Sequence, residues 1–249
     1  MDSYNDKKIT LYVLTFLTLG LLAFFCFAML FTAAGYNTSS FSEELNTALE
    51  QSTAPVIVID PGHGGEDPGA VIGDVKEKDI NLSVSKRLGE LFQSSGYNVI
   101  YTRTEDRMLY NPGEESRKKF FDLQNRVNIA SSFENAIFIS VHVNRFSVEK
   151  YSGLQVFYTQ NSKNSEKLAK HIQNRIAALQ PTNNRKAKDS GSSIYLLDKY
   201  AGTAVLIECG FISNETERKK LCDEEYQNKL ALNIFVSVSE YINGEKSEN

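Results

Sequence analysis

The sequence predicts an α/β fold, a mainly parallel sheet with helices on both faces in a single domain, preceded by one N-terminal transmembrane helix. Three observations carry this expectation. Short runs of β-branched and apolar residues, such as VIVI at Val56 to Ile59, AIFISVHV at Ala136 to Val143 and AVLI at Ala204 to Ile207, are apolar on both faces, as strands covered on two sides are. Segments with apolar residues at helical spacing separate these runs. Ahead of them, no charged residue occurs from Ile9 through Ser42. The 249 residues suffice for one sizeable domain with appendages, and 41% hydrophobic with 23% charged residues is ordinary for a globular protein.

Residues 1–8 lead into the apolar stretch 9–34. Its centre, Leu11 to Phe31, is long enough at about 20 residues to cross the hydrocarbon core as a helix. A secretory signal would be shorter, about 7 to 15 apolar residues, and Thr32-Ala33-Ala34 is a weak cleavage site, so a retained anchor is favoured over a cleaved signal. Lys7 and Lys8 precede the span and no Lys or Arg follows it until Lys76. The positive-inside bias therefore puts residues 1–8 in the cytoplasm and the remainder outside. Residues 35–54 read as a polar linker, with a helical turn or two over Ser42 to Gln51.

The folded domain is expected over 55–243. Val56 to Ile59 is its first strand, broken by Asp60, Pro61 and Gly62, so His63 sits where the chain leaves the sheet. Lys78 to Ser95 carries Ile80, Val84, Leu88, Leu91 and Phe92 on one helical face, and Gly96 ends it. Val99 to Thr102 is a second strand. Arg117 to Ser132 is a helix with Phe121, Val127 and Ile129 as core positions, and Ala136 to Val143 is a third strand. Leu154 to Tyr158 is a further strand, and Ser165 to Leu179 an amphipathic helix with Leu168, Ile172 and Ile176 inward. Pro181 to Ser192 is a polar loop. Ser193 to Leu197 and Ala204 to Ile207 are two more strands, and Glu215 to Leu221 and Tyr226 to Ile242 close the domain as helices before a frayed tail at 244–249.

The net charge of −4 argues against a nucleic-acid binder, which needs a basic face. Cys26 lies in the apolar stretch, and Cys209 and Cys222 form no CxxC pair, so reduced, inert packing is favoured over a bridge.

Two of the three histidines share a position type: His63 in IDPGHGG and His142 in FISVHVN each lie at or just beyond the end of an apolar strand. Ligands of open α/β sheets bind at that edge. Two imidazoles and one carboxylate also leave a fourth tetrahedral position open on zinc. Either histidine alone reads as a hydrogen-bonded loop or core residue; their recurrence at one sheet edge favours a shared site. His171, mid-helix beside Lys170, reads as a surface residue. The acidic candidates are Asp60, Glu66, Asp67, Glu77, Asp79 and Glu208. Glu77 opens a helix, where a carboxylate also suits the dipole. Glu208 follows AVLI and precedes Cys209, Gly210 and Phe211, and a charge in so apolar a setting is costly unless paired or metal-associated.

Together these motifs resemble the zinc-dependent N-acetylmuramoyl-L-alanine amidases of the amidase_3 type. The resemblance covers nearly all of Val56 to Ile242. It rests on IDPGHGGEDPGA, on Glu77-Lys78 with Asn81-Leu82, on YTR at Tyr101 to Arg103, on LQNR at Leu123 to Arg126, on SVHVN at Ser140 to Asn144 and on VLIECGFISN at Val205 to Asn214. It implies that 55–243 is a catalytic domain cleaving the bond between the muramic acid lactyl group and L-alanine in peptidoglycan. It further implies that His63, Glu77 and His142 bind one Zn2+ and that Glu208 is the catalytic carboxylate, moving a proton from water to the leaving alanine nitrogen. Asn144, and Arg185 and Lys188 in the polar loop, are expected to contact glycan or peptide.

The chain departs from the family pattern at Ser131, after Ala130, and at Val143, before Asn144, which touches substrate contacts rather than metal chemistry. It has no room after Phe157-Tyr158 for the helix that occludes the zinc in division-associated members, so restraint of activity would need weak metal retention or an accessory protein. One anchor plus one bare amidase domain resembles the amidases of endospore-forming bacteria that act on spore cortex, stripping peptide before muramic δ-lactam forms. The expected place is the outer side of a membrane, such as the intermembrane space of the forespore. Two other readings stand beside this one. A silent peptidoglycan-binding scaffold on the same fold would have lost a ligand or the catalytic acid, and none is lost. A zinc peptidase cutting within the stem peptide would differ in its products.

Overall fold

In the computed structural model, which describes residues 54–160 and 162–248, the apolar runs become β1 (Ile57–Pro61), β4 (Val99–Tyr101), β5 (Ile137–Asn144), β6 (Gln155–Tyr158), β7 (Lys188–Asp189) and β8 (Thr203–Phe211). They form a six-stranded sheet in the order β4-β1-β5-β8-β6-β7. β1 pairs in parallel with β4 and β5, and β5 with β8, while β6 runs antiparallel to β8. A separate two-stranded ribbon, β2 (Val71–Ile72) with β3 (Val75–Lys76), lies in the loop that follows β1. The expected membrane span 9–34 and nearly all of the linker lie outside the described residues. Among the described residues no helix is long and apolar enough to cross a membrane.

Alternating side chains of the sheet feed two apolar layers, which is why the strands read as continuous apolar runs. Ile57, Ile59, Ile137, Ile139, Val205 and Ile207 pack against α1 (Glu77–Ser94), α3 (Lys163–Arg175) and α6 (Glu224–Glu248). Val58, Phe138, Ala204 and Leu206 pack against α2 (Lys118–Ser131) and α4 (Tyr195–Lys199). A short α5 (Glu215–Leu221), capped by the Asn214 side chain, precedes α6.

The structure corrects several local expectations. Ser193 to Leu197 does not form a strand: residues from Tyr195 on wind into α4, with Asp198 N–H donating to Ile194 O and Tyr200 N–H to Leu196 O. Neighbouring Leu196 and Leu197 are both buried in one cluster, which a helical turn permits and an alternating strand does not. The polar loop 181–192 is not wholly irregular, because Lys188 and Asp189 add an edge strand to β6. Asp60 and Pro61 extend β1 rather than break it. Pro61 takes the last position, opposite Val141, where its missing N–H costs little, and Gly62 N–H resumes the ladder by donating to Val141 O. Phe121 is half-buried rather than core, edge to face with Phe120 beside Arg117, since the inward line of α2 runs through Asp122, Arg126, Val127 and Ala130. Cys209 is a reduced core residue as expected, whereas Cys222 is free and exposed.

Candidate metal centre and active site

The site is assembled where β1, β5 and β8 end. β1 delivers the turn Gly62 to Gly65. His63 adopts a left-handed backbone (φ 60°), uncommon for a residue with a Cβ, and Gly64 and Asp67 exchange backbone hydrogen bonds of 2.9 and 3.0 Å that close the turn. The loop then returns to cap α1: Glu77 N–H donates to Ala70 O and Lys78 N–H to Pro68 O, satisfying orphan donors of the first helical turn. Glu77 is thereby fixed as the first residue of α1, beside the turn that carries His63.

His142 comes from β5. Its Nδ1 lies 3.0 Å from Glu77 Oε1, the same oxygen that stands 3.2 Å from His63 Nε2, and the two imidazole rings meet edge to face with centroids 5.0 Å apart. One ligand atom from each of His63, Glu77 and His142 lies within 4.8 Å of the others. Asp67 Oδ2 sits 2.8 Å from His63 Nδ1, which holds the ring with Nε2 facing Glu77, the role a carboxylate plays behind a metal-binding histidine. Lys119 in turn pairs with Asp67.

Glu77 is buried and accepts from Ala70 N–H at 2.8 Å and Val143 N–H at 3.1 Å. Burial opposes its ionisation, but hydrogen bonds with His142 and His63, and their charges, hold the carboxyl well below the usual range. It is therefore anionic at neutral pH. Burial likewise lowers His63, yet its hydrogen bonds with Asp67 and Glu77 win and push it up to about 9.

Glu208 stands on β8 directly opposite His142 in the register of β5 and β8. Its Oε2 is buried without a hydrogen-bond partner among the described residues. Burial, then the negative charge of Glu77, pushes this carboxyl up to about 8, with His63 opposing. A buried carboxylate oxygen with no donor is costly. It fits a site whose donor set, two imidazoles and an ionised carboxylate, suits zinc and leaves a coordination position for water. Three side chains from three segments could thus hold one metal ion, with Glu208 a separate carboxylate opposite His142.

Of the other acidic candidates, Asp60 is buried and bound by Thr102, Ser140 and Arg126, Glu66 pairs with Lys118 at the surface, and Asp79 is exposed. Asn144 ends β5 two residues past His142, and its carbonyl accepts from Ile212 N–H. Arg185 donates to Ser152 O and to the side chain of Gln155, the residue paired with Glu208 across β6 and β8, and its guanidinium lies 4.5 Å from the Phe211 ring. Lys188 is exposed on the edge strand β7, over Phe157. The sequence marks Asp67 only as one of six acidic candidates and Arg103 and Arg126 only as members of the YTR and LQNR motifs, and singles out nothing for Asp122. The i,i+4 spacing of Asp122 and Arg126 was the one visible sign of their pairing.

The model of the N-acetylmuramoyl-L-alanine amidase family Amidase_3 matches residues 57–240. The chain belongs to this family of peptidoglycan amidases. It is 39% identical over 188 residues to the germination-specific N-acetylmuramoyl-L-alanine amidase of Bacillus subtilis, covering 75% of this chain and 79% of that protein. It is 31% identical to the amidase LytC of the same organism, over 82% of this chain and 39% of LytC. Among solved structures it resembles the CwlD amidase from Clostridioides difficile, determined in complex with the GerS lipoprotein, with 42% identity and a TM-score of 0.73 over 76% of this chain and 98% of that one.

Proposed function

We propose that this amidase is zinc-dependent and removes stem peptides from spore-cortex peptidoglycan on the outer side of a membrane, ahead of muramic δ-lactam formation. The observation that carries the chemistry is the unpartnered, buried Oε2 of Glu208 beside the His63, Glu77 and His142 donor set. The cortex assignment is supported by the likeness to the germination-specific amidase and to CwlD.

His63, Glu77 and His142 would hold the metal. When bound, zinc supplies Lewis acidity for the scissile carbonyl and acidifies water. Glu208 takes the proton from the attacking water and hands it to the departing alanine nitrogen. Its carboxyl, raised toward neutrality by burial, suits both halves of that transfer. Asp67 keeps His63 in the ligating orientation. Asn144, Arg185 and Lys188 are assigned to glycan or peptide contacts, with Arg185 held nearest through Gln155. Residues 9–34 anchor the chain in the membrane with the catalytic domain outside, and an accessory protein regulates it, as the CwlD complex with a lipoprotein supports.

The test is mass analysis of products from cortex and vegetative peptidoglycan, with zinc content measured alongside. An amidase releases a peptide with a free L-alanine amine and leaves peptide-free muramic acid. Cleavage within the stem peptide, or no release by zinc-loaded protein even with cell extract added, overturns the proposal.

A further inference from the structure

The turn that presents His63 is gripped through its own backbone by three buried cations. Arg103 donates Nε to Pro61 O at 2.8 Å and Nη2 to Gly62 O at 3.0 Å. Arg126 donates Nη1 to Pro61 O and Nη2 to His63 O, both at 2.8 Å, and Lys78 Nζ donates to Gly65 O at 2.8 Å. Arg103 and Arg126 are each 1% exposed, and they come from distant parts of the chain, the segment after β4 and the middle of α2.

Burying such charges is costly unless they are paired, and apolar residues would stabilise a core at least as well. Arg126 has carboxylates at Asp60 and Asp122, and Lys78 has Asp106. Arg103, by contrast, makes its hydrogen bonds to the carbonyls of Pro61, Gly62, Lys78 and Glu105. Stability alone is a poor reason for this arrangement. His63, however, holds a left-handed backbone that a residue with a Cβ disfavours. The flanking carbonyls are the groups that would rotate if it relaxed.

We propose that Arg103, Arg126 and Lys78 are positioning residues that lock the strained turn and so set the metal affinity of the His63, Glu77 and His142 site. This rests on the zinc reading above. The ligands are then preorganised before the metal arrives, and the affinity depends on groups that never touch it.

The experiment measures zinc dissociation constants of the full-length chain by competition with a chromogenic chelator, beside circular dichroism and thermal melting of the zinc-free protein. Arg126→Lys keeps a charge near Asp60 and Asp122 but cannot fork between Pro61 O and His63 O. Lys78→Met releases Gly65 O alone and leaves Asp106, itself half exposed, to water. Leu168→Ala, on the buried face of α3, serves as a control of general destabilisation. Expected is roughly 10–100-fold weaker zinc binding in Arg126→Lys, a smaller weakening in Lys78→Met, and binding within twofold of wild type in Leu168→Ala. Wild-type affinity in either folded cation variant, or an equal loss in Leu168→Ala, overturns the proposal. If Arg126→Lys does not fold, Lys78→Met decides alone. Absence of zinc binding in the wild type overturns the zinc reading itself.

Discussion

Glu208 shows how one residue's surroundings assign its chemistry. Its Oε2 is buried, stands near the anionic Glu77, and has no donor among the described residues. Glu208→Gln is nearly isosteric and removes no metal ligand, so it is expected to retain zinc while turnover falls roughly 10²–10⁴-fold, as loss of a general acid–base group does. Full activity in the zinc-loaded variant would remove Glu208 from the mechanism. The same residue makes a stability prediction for zinc-free protein. A carboxyl raised to about 8 holds its proton in the folded chain after the unfolded chain, near 4.5, has lost it, so its contribution declines as pH rises through that interval. His63, raised to about 9 from 6.5, acts in the same direction over a higher range. Urea unfolding should therefore show the zinc-free protein weakening from pH 5 to 9. Glu208→Gln should flatten the lower part of that decline, and an unchanged slope would count against the burial argument.

At the scale of elements, the turn after β1 requires a small residue at Gly62 by contact rather than by backbone conformation. A Cβ on Gly62 would lie 2.2 Å from Cε1 and Nε2 of His142. Gly62→Ala must therefore push the imidazole aside, and the expectation is a folded protein whose zinc affinity falls at least about tenfold, by analogy with other disturbances around a metal ligand. Chelator competition beside circular dichroism would check it, and unimpaired zinc binding would show that the ring can move without cost. Helix α1 links this turn to the core. Glu77 at its first turn faces His63 and His142, while Leu88, fully buried three turns on, packs in the large apolar layer. Leu88→Ala is expected to lower unfolding stability by about 2–5 kcal/mol, read from denaturant midpoints.

For the whole molecule, His63, Glu77 and His142 come from segments that meet only in the folded sheet, so on the zinc proposal metal binding and folding must be linked. Zinc at a hundred times its dissociation constant should stabilise the fold by about 2.7 kcal/mol. Chelation should lower the melting temperature of the wild type accordingly and leave that of His63→Ala unchanged. A chelator effect of equal size in His63→Ala would place the metal elsewhere.

The sequence by itself determined the parallel core, because a strand covered on both faces must be apolar at every position and a helix between strands must show its 3.6-residue stripe. It also determined His63 and His142 as a pair, since imidazoles at the ends of apolar strands fall at one sheet edge, and it marked Glu208 as a charge with no local excuse. Short elements were less legible. The run at Ser193 to Leu197 has strand-forming residues, and only the position of the second apolar layer made a helical turn the better way to bury Leu196 and Leu197 together. Only long-range packing set the surroundings of each acid. Asp60, Asp67 and Glu77 are equivalent carboxylates by composition and spacing, and they come to lie against a buried arginine, against His63, and between His63 and His142 through neighbours up to 66 residues away. Arg103 and Arg126 were hidden for the same reason. An arginine reads as solvated surface until long-range packing closes over it and leaves main-chain carbonyls as its hydrogen-bond acceptors.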